Sequence, residues 1–410
     1  MQFSDLPLHK NILKAVAELR FHSPTVVQQK AIPVIIAKKD VIIAAQTGTG
    51  KTAAFALPII NQLIETQDTE KGEKKIKALI ISPTRELAHQ INENFKAFCK
   101  YTNLRTTVVY GGVSLEPQKD VLKKGVDILI ATPGRLLDLH RQGEIDLRLL
   151  KTLVIDEADL MLDMGFINDV QNIEELCPRK KQTLLFSATM PDKIVALAST
   201  ILQNPEKLSV ASTETKAKEI GQLLYYVPKR NKTDLCLQLL RTEINGKVII
   251  FRRTKFGVDK LEQTLQKNGY QVTSLHGDKS QNLRNKAIED FKNNKAHILI
   301  ATDVAARGID ISKVDVVINF DLPNIAETYV HRIGRTGRAG KSGLAISLCS
   351  IDEVAYVKII QAFIGKDLKV IEDHPFPVKK PKPKKQPNTI NPNKKSRKSK
   401  NSKKNKKRWY

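Results

Sequence analysis

The sequence predicts an α/β protein of two tandem domains, each a parallel sheet flanked by helices, followed by a disordered basic tail. Three observations carry that expectation. From Met1 to about Leu208, short β-branched runs alternate with longer amphipathic stretches, the pattern of βαβ units. The alternation lapses into a polar stretch over Val210–Lys218 and then resumes. From about Glu372 onward Pro, Lys, Asn and Ser dominate, with too few apolar residues to offset the entropy of ordering. The expected divisions are a first domain over 1–209, a linker over 210–218, a second domain over 219–372 and a tail over 373–410.

In the first domain, strands are expected at Val41–Ile43, Ala78–Ile81, Thr106–Tyr110, Asp127–Ile130, Thr152–Ile155 and Thr183–Phe186. Each is apolar throughout, as suits a strand covered on both faces. Amphipathic segments such as Glu86–Phe98 and Asp192–Leu202 supply covering helices. In the second domain the strands are expected at Gln222–Val227, Lys247–Phe251, Val272–Leu275, His297–Ala301, Val314–Asn319 and Leu344–Leu348.

Four cysteines (Cys99, Cys177, Cys236, Cys349) stand far apart with no C-x-x-C pair, which argues against a zinc site and a disulfide framework. With no signal-like N-terminus and no apolar run long enough to span a bilayer, the expectation is a soluble cytoplasmic protein without a membrane partner. Of the 68 Lys and Arg, 15 follow Val378 with no acidic residue among them, so +15 of the net +25 sits in the tail and +10 remains for the body. A basic body with a more basic tail suggests a polyanionic partner, nucleic acid before others.

The chemistry starts after the apolar run Val41-Ile42-Ile43-Ala44. Ala45-Gln46-Thr47-Gly48-Thr49-Gly50-Lys51-Thr52 reads as a phosphate-binding loop: small residues let backbone N–H groups point inward, and a lysine and a hydroxyl follow where a helix begins. Ala45 stands where the generic pattern has its first glycine. After Ile155 comes Asp156-Glu157-Ala158-Asp159, at the position from which a carboxylate holds Mg²⁺ beside a phosphate loop.

The acidic string and the loop wording together closely resemble the DEAD-box family of ATP-dependent RNA helicases, and most nearly its bacterial RhlE-like branch. The resemblance runs from residue 3 to about 365 and implies two RecA-like domains, ATP and Mg²⁺ as cofactors, and RNA as partner. Pro24-Thr25-Val26-Val27-Gln28 resembles the adenine-recognition motif, with Phe21 its aromatic and Phe3 the isolated upstream aromatic; Arg20 departs from the glycine usual there. Pro83-Thr84-Arg85-Glu86-Leu87, Gly111-Gly112 and Thr132-Pro133-Gly134-Arg135 look like RNA-backbone contacts. Helix N-termini, glycine amides, hydroxyls and arginines bind phosphate and ribose without reading bases. Ser187-Ala188-Thr189 resembles the element linking ATP state to RNA binding. In the second domain, Arg253, Thr254 and Lys255, then His276-Gly277-Asp278 with Gln281 and Arg284, resemble further RNA contacts. In Thr302-Asp303-Val304-Ala305-Ala306-Arg307-Gly308 the resemblance implies that Asp303 reaches the ATP ribose, Thr302 the RNA, and that Gly308 belongs to the nucleotide site.

His331-Arg332-Ile333-Gly334-Arg335-Thr336-Gly337-Arg338 places three arginines within seven residues, too much charge for a packed core. By resemblance His331 is catalytic and Arg335 and Arg338 are arginine fingers reaching across the cleft. The implied mechanism has Lys51 on the β- and γ-phosphates, Thr52 and Asp156 on Mg²⁺, and Glu157 orienting or deprotonating the attacking water, in a monomeric core that closes on RNA and bends it, separating short duplexes or remodelling ribonucleoprotein partners. Two other readings share the residues: a DNA helicase or translocase on the same plan, and an RNA clamp or annealing chaperone driven by the tail. The tail also reads as a solvated polycation, its Trp409 and Tyr410 as stacking groups, and its Lys-Lys-Ser-Arg-Lys as an import signal in a eukaryote. The RhlE-like resemblance points to a bacterial cytoplasm.

Overall fold

The computed structural model of the chain describes residues 1–45, 48–67, 75–209, 220–244, 246–306, 314–337 and 343–378. The first strands in chain order are β1 (Val41–Ala44), β2 (Ala78–Ile81), β3 (Thr106–Val109), β4 (Ile128–Ala131), β5 (Thr152–Ile155), β6 (Gln182–Ser187) and β7 (Glu206–Ser209). They form one parallel sheet in the order β3-β4-β2-β5-β6-β1-β7. A second set follows: β8 (Gly221–Tyr226), β9 (Val248–Phe251), β10 (Val272–Leu275), β11 (Ile298–Ala301), β12 (Val316–Asn319), β13 (Leu344–Cys349) and β14 (Lys369–Ile371). Their order is β10-β11-β9-β12-β13-β8-β14, again all parallel. Strand for strand the second sheet repeats the first, so each loop at a strand's carboxyl end has a counterpart in the other half.

The expected strands are present with ends shifted by at most two residues. Both outer strands β7 and β14 escaped the sequence patterns, because Glu-Lys-Leu-Ser and Lys-Val-Ile are short sheet-edge strands without an apolar run. Edge position also explains why β3 is only half-buried, against the expectation that every strand is covered on both faces. Elsewhere side-chain alternation sends successive residues to opposite cores. Ile43, Ile80, Ile130, Val154 and Phe186 pack on one face, and Ile42, Leu79, Ile81, Leu129 and Ile155 on the other. In the second sheet Ile250, Ile300 and Ile318 oppose Ile249, Leu299 and Val317 in the same way.

The expected linker at 210–218 and the chain beyond Val378 lie outside the described residues. Residues 373–378, assigned to the tail from composition, dock on the second sheet: Phe376 joins its core, the His374 ring meets Tyr225 edge-on at 5.5 Å, and Val378 N–H donates to the Tyr226 carbonyl at 3.2 Å. Among the described residues no helix is long and apolar enough to cross a membrane.

Candidate active site

Strands β1, β6 and β5 lie side by side, so the segments that follow them converge. After β1, Ala45 N–H donates to the Ser187 carbonyl at the end of β6 (2.9 Å), and the helix Lys51–Gln67 begins at the lysine of the loop. Gly48 and Gly50 take φ of +81° and +89°, backbone open to glycine at little cost. At Gly50 space closes the position as well, since a Cβ would lie 2.5 Å from Gln28 Nε2. Gln46 and Thr47 lie outside the described residues.

After β5, Asp156 and Glu157 are buried, and Glu157 adopts a left-handed φ of 54° as it turns the chain into the short helix Ala158–Asp163. Lys51 Nζ donates to Glu157 Oε1 at 2.8 Å inside the cleft. Burial opposes charge on Glu157, but Lys51 outweighs it, and the positive groups of His331 and Arg335 help hold the carboxyl below its usual range. Asp156 is pushed the other way, chiefly by burial and by the Glu157 charge against the pull of Lys51. Burial likewise opposes the Lys51 charge, but Glu157 and Asp156 raise its pKa. Asp156 Oδ1 accepts from Glu157 N–H at 3.1 Å, while its second oxygen has no protein donor among the described residues. A buried carboxyl on one segment and a hydroxyl at the start of the helix Lys51–Gln67 on the other are oxygen donors of the kind that suit a hard cation such as Mg²⁺. Asp159 N–H donates to Ser187 Oγ (3.2 Å), and its Oδ2 accepts from Thr189 N–H (3.0 Å) and Oγ1 (3.1 Å). The serine-alanine-threonine element is thus wired directly to the acidic one.

The adenine-motif residues sit on the loop's outer side. Gln28 caps its own helix, Oε1 accepting from Thr25 N–H at 2.9 Å, and its Nε2 donates to the Gly50 carbonyl at 3.1 Å. One amide hydrogen and one lone pair remain for a ligand. Phe21 is 41 % exposed and packs on Phe3 (6.4 Å) and edge-on against Phe98 (6.1 Å). Phe3 itself is buried behind Phe21, so only Phe21 presents a ring to solvent. Arg20, where the family has glycine, holds a left-handed φ of 59°, so the backbone path survives the substitution.

On a neighbouring face the expected polynucleotide contacts gather. Pro83 and Thr84 close β2, and the Thr84 hydroxyl caps the helix Arg85–Phe98, accepting from Leu87 N–H. The Arg85 guanidinium lies over Gly112, where a Cβ would meet its Nη1 at 2.1 Å, and the φ of +76° there also favours glycine. Thr132, Pro133 and Gly134 open the helix Pro133–Arg141, and buried Arg135 donates to the Val113 carbonyl at 3.0 Å while its Nε and Nη1 have no partner. Burial lowers the Arg135 pKa against the opposing pull of Asp138, and the nearby Arg85 charge adds to the lowering.

In the second half Thr254 caps the helix Lys255–Lys267, and Lys255 Nζ lies 2.5 Å from Asp278 Oδ2, next to exposed Gly277. Arg253 is drawn inward, its Nη2 on the Leu322 carbonyl (2.9 Å) and Glu353 (3.2 Å). Gln281 and Arg284, matched to polynucleotide contacts by sequence, bond to Arg85 and Glu86 of the first half. Thr302 is half-buried at the end of β11, and Asp303 is gripped by Arg332 through Nε (2.6 Å) and Nη2 (2.8 Å). Arg332 corrects the sequence reading of the three arginines. It is 3 % exposed, also bonded to Asn319 Oδ1 (3.1 Å) and the Asp321 carbonyl (2.6 Å), and over the Phe251 ring at 5.0 Å. A guanidinium with every face satisfied can be packed away. His331 and Arg335 approach Glu157 from the second half, whereas Gly308 and Arg338 lie outside the described residues.

Comparison with known proteins agrees with this geometry. Residues 25–197 match the DEAD/DEAH box helicase family and residues 231–340 the helicase conserved C-terminal domain. The chain is 46 % identical over 370 residues to the DEAD-box ATP-dependent RNA helicase RhpA of Helicobacter pylori, covering 90 % of this chain and 74 % of RhpA. It is 41 % identical to the ATP-dependent RNA helicase RhlB of Shewanella piezotolerans, covering 90 % and 85 % of the two chains. Among solved structures, S. cerevisiae Dbp5 bound to RNA and ADP BeF3 superposes with a TM-score of 0.81 at 32 % identity, over 90 % of this chain and 95 % of that one.

Proposed function

The chain belongs to the DEAD-box family of ATP-dependent RNA helicases, and on that premise we propose that it couples RNA-stimulated ATP hydrolysis to closure of its two halves, and closure to local unwinding of short RNA duplexes or remodelling of RNA–protein complexes. One observation carries the reading: Glu157, paired with Lys51 of the first half, also feels the positive groups of His331 and Arg335 of the second. A catalytic centre made from both halves exists only when they are together.

In this proposal the ATP phosphates draw Lys51 away from Glu157, and the freed carboxylate orients the attacking water and takes its proton. Arg335, with Arg338, meets charge developing on the transferred phosphoryl group. Thr52 and Asp156 hold Mg²⁺, which when bound neutralises phosphate charge. Gln28 and the Phe21 ring receive the adenine, and Asp303 the ribose once Arg332 shares it. Thr84, Arg85, Gly112, Thr132–Arg135, Thr254, Lys255, Gly277, Asp278 and Thr302 follow the RNA backbone. A strand contacting both halves favours their closure, which is how RNA stimulates turnover. We take the core to act as a monomer in a bacterial cytoplasm, the relatives being bacterial, and the wording of Arg253-Thr254-Lys255 and His276–Gln281 supports the RhlE-like branch.

Glu157→Gln tests the assignment. It should keep ATP and RNA binding while RNA-stimulated turnover falls by about 10² to 10⁴, the range of general-base catalysis. Turnover within twofold of the parent would sink the role given to Glu157, and stimulation by DNA equal to that by RNA would sink the substrate.

A further inference from the structure

Phe256 is 76 % exposed, more than any other large hydrophobic side chain among the described residues. A single exposed apolar residue needs no explanation by itself. The setting of this one does.

The turn that carries it is rigid. The Thr254 hydroxyl accepts from Gly257 N–H at 3.1 Å, starting the helix Lys255–Lys267 immediately around Phe256. Gly257 is tightly fitted, since a Cβ there would lie 2.6 Å from Arg252 Nη2. Arg252 is in turn anchored on Asp321 at 2.9 Å and lies 4.1 Å above the Phe320 ring. The ring is therefore presented from a fixed backbone by a side chain with only two torsions, and little entropy is lost when something covers it.

Its neighbours are polar and cationic. Lys255 Nζ lies 5.5 Å from the Phe256 ring centroid and pairs with Asp278, and Gly277 borders open space, with no atom within 4 Å of a Cβ placed on it. An apolar anchor for a protein partner would be expected to have apolar neighbours that exclude water. An aromatic face beside an ammonium group and a helix N-terminus is instead the pairing that holds single-stranded nucleic acid, one part for the base and the other for the phosphate.

We propose that Phe256 stacks on a base of the RNA strand that runs along Thr254, Lys255 and Gly277, so that the second half holds its strand by a base as well as by backbone. The inference rests on the RNA-binding reading above. Every base offers a π face, so the contact tolerates any sequence, and it fixes the strand's register on the second half.

The test uses the full chain with an ATP analogue and two labelled single-stranded RNAs, one ordinary and one of the same length made abasic throughout. Phe256→Ala should raise the half-saturating concentration of ordinary RNA about tenfold, within the range measured for one stacked base. Phe256→Trp should restore it to within twofold of the parent. On abasic RNA the parent and Phe256→Ala should bind alike, because no base remains to stack. Equal affinity of Phe256→Ala and parent for ordinary RNA would overturn the inference, as would the same loss on both RNAs. If RNA fails to bind or stimulate the parent, the proposed function falls and this inference with it, an outcome distinct from either result on the variant.

Discussion

Glu86 Oε1 lies 2.9 Å from Arg284 Nη2, the two side chains 7 % and 13 % exposed, and the pair joins the helix Arg85–Phe98 of the first half to the helix Gln281–Lys292 of the second. Gln281 Nε2 donates to the same carboxylate oxygen at 3.1 Å, and its Oε1 takes Arg85 Nη1 at 3.4 Å. Arg85 is the group that closes over Gly112 on the expected RNA path. The latch between the halves and the RNA face therefore share a side chain.

Arg284→Ala leaves Glu86 without its counter-charge in the closed form, whereas the open form can hydrate it. A network of this kind couples its members by about 0.5 to 3 kcal/mol, so closure should weaken and the RNA concentration for half-maximal ATPase should rise about tenfold. The exchange Glu86→Arg with Arg284→Glu should recover part of the loss. Fluorescence transfer between dyes on the two halves would report the same ordering, and an Arg284→Ala chain that closes like the parent would contradict it.

Arg332 and Arg335 stand three residues apart and should fail differently. Removing Arg332 strands Asp303 and Asn319, both tied to it at 3.1 Å or less. Breaking a buried ion pair on one side costs about 3 to 5 kcal/mol, so Arg332→Ala should lower the melting temperature of the protein by several degrees. Arg335→Ala should instead leave ATP affinity within a few-fold and cut the stimulated rate by about 10³, the scale of an arginine finger. Melting curves and single-turnover ATPase distinguish the two. Equal thermal losses would mean that Arg335 too is chiefly structural.

Much of the fold was legible because parallel strands buried on both faces must be written in apolar residues, as in Val248-Ile249-Ile250-Phe251. The strands β7 and β14 were not, since an edge strand needs only half that code. At the site, Lys51 stood in one short string and Asp156 and Glu157 in another, each constrained by chemistry, and the structure pairs Lys51 with Glu157. Contacts between distant segments left no local trace. Nothing adjacent to Glu86 marks Arg284 as its partner, and nothing around Arg332 distinguishes a buried guanidinium from an exposed one. Pairing of that kind depends on which loops the matching strand orders bring together, which a periodicity in one segment does not encode.

Arg20 gives the last prediction. Its N–H donates to the Ala17 carbonyl at 3.0 Å and its φ is 59°, a left-handed closing turn after the helix Lys10–Glu18. An L-residue with a Cβ is held there at a cost of about 1 to 2 kcal/mol, whereas glycine adopts the conformation freely but gives up about 0.5 to 1 kcal/mol of chain entropy on folding. The difference favours Arg20→Gly by about 0.5 to 1 kcal/mol, a rise of one to a few degrees in melting temperature for a domain of this size. Because the same turn sets the Phe21 ring on Phe98, ATP affinity should stay within twofold of the parent. A lower melting temperature for Arg20→Gly would show that the arginine side chain supplies stabilisation beyond its backbone conformation.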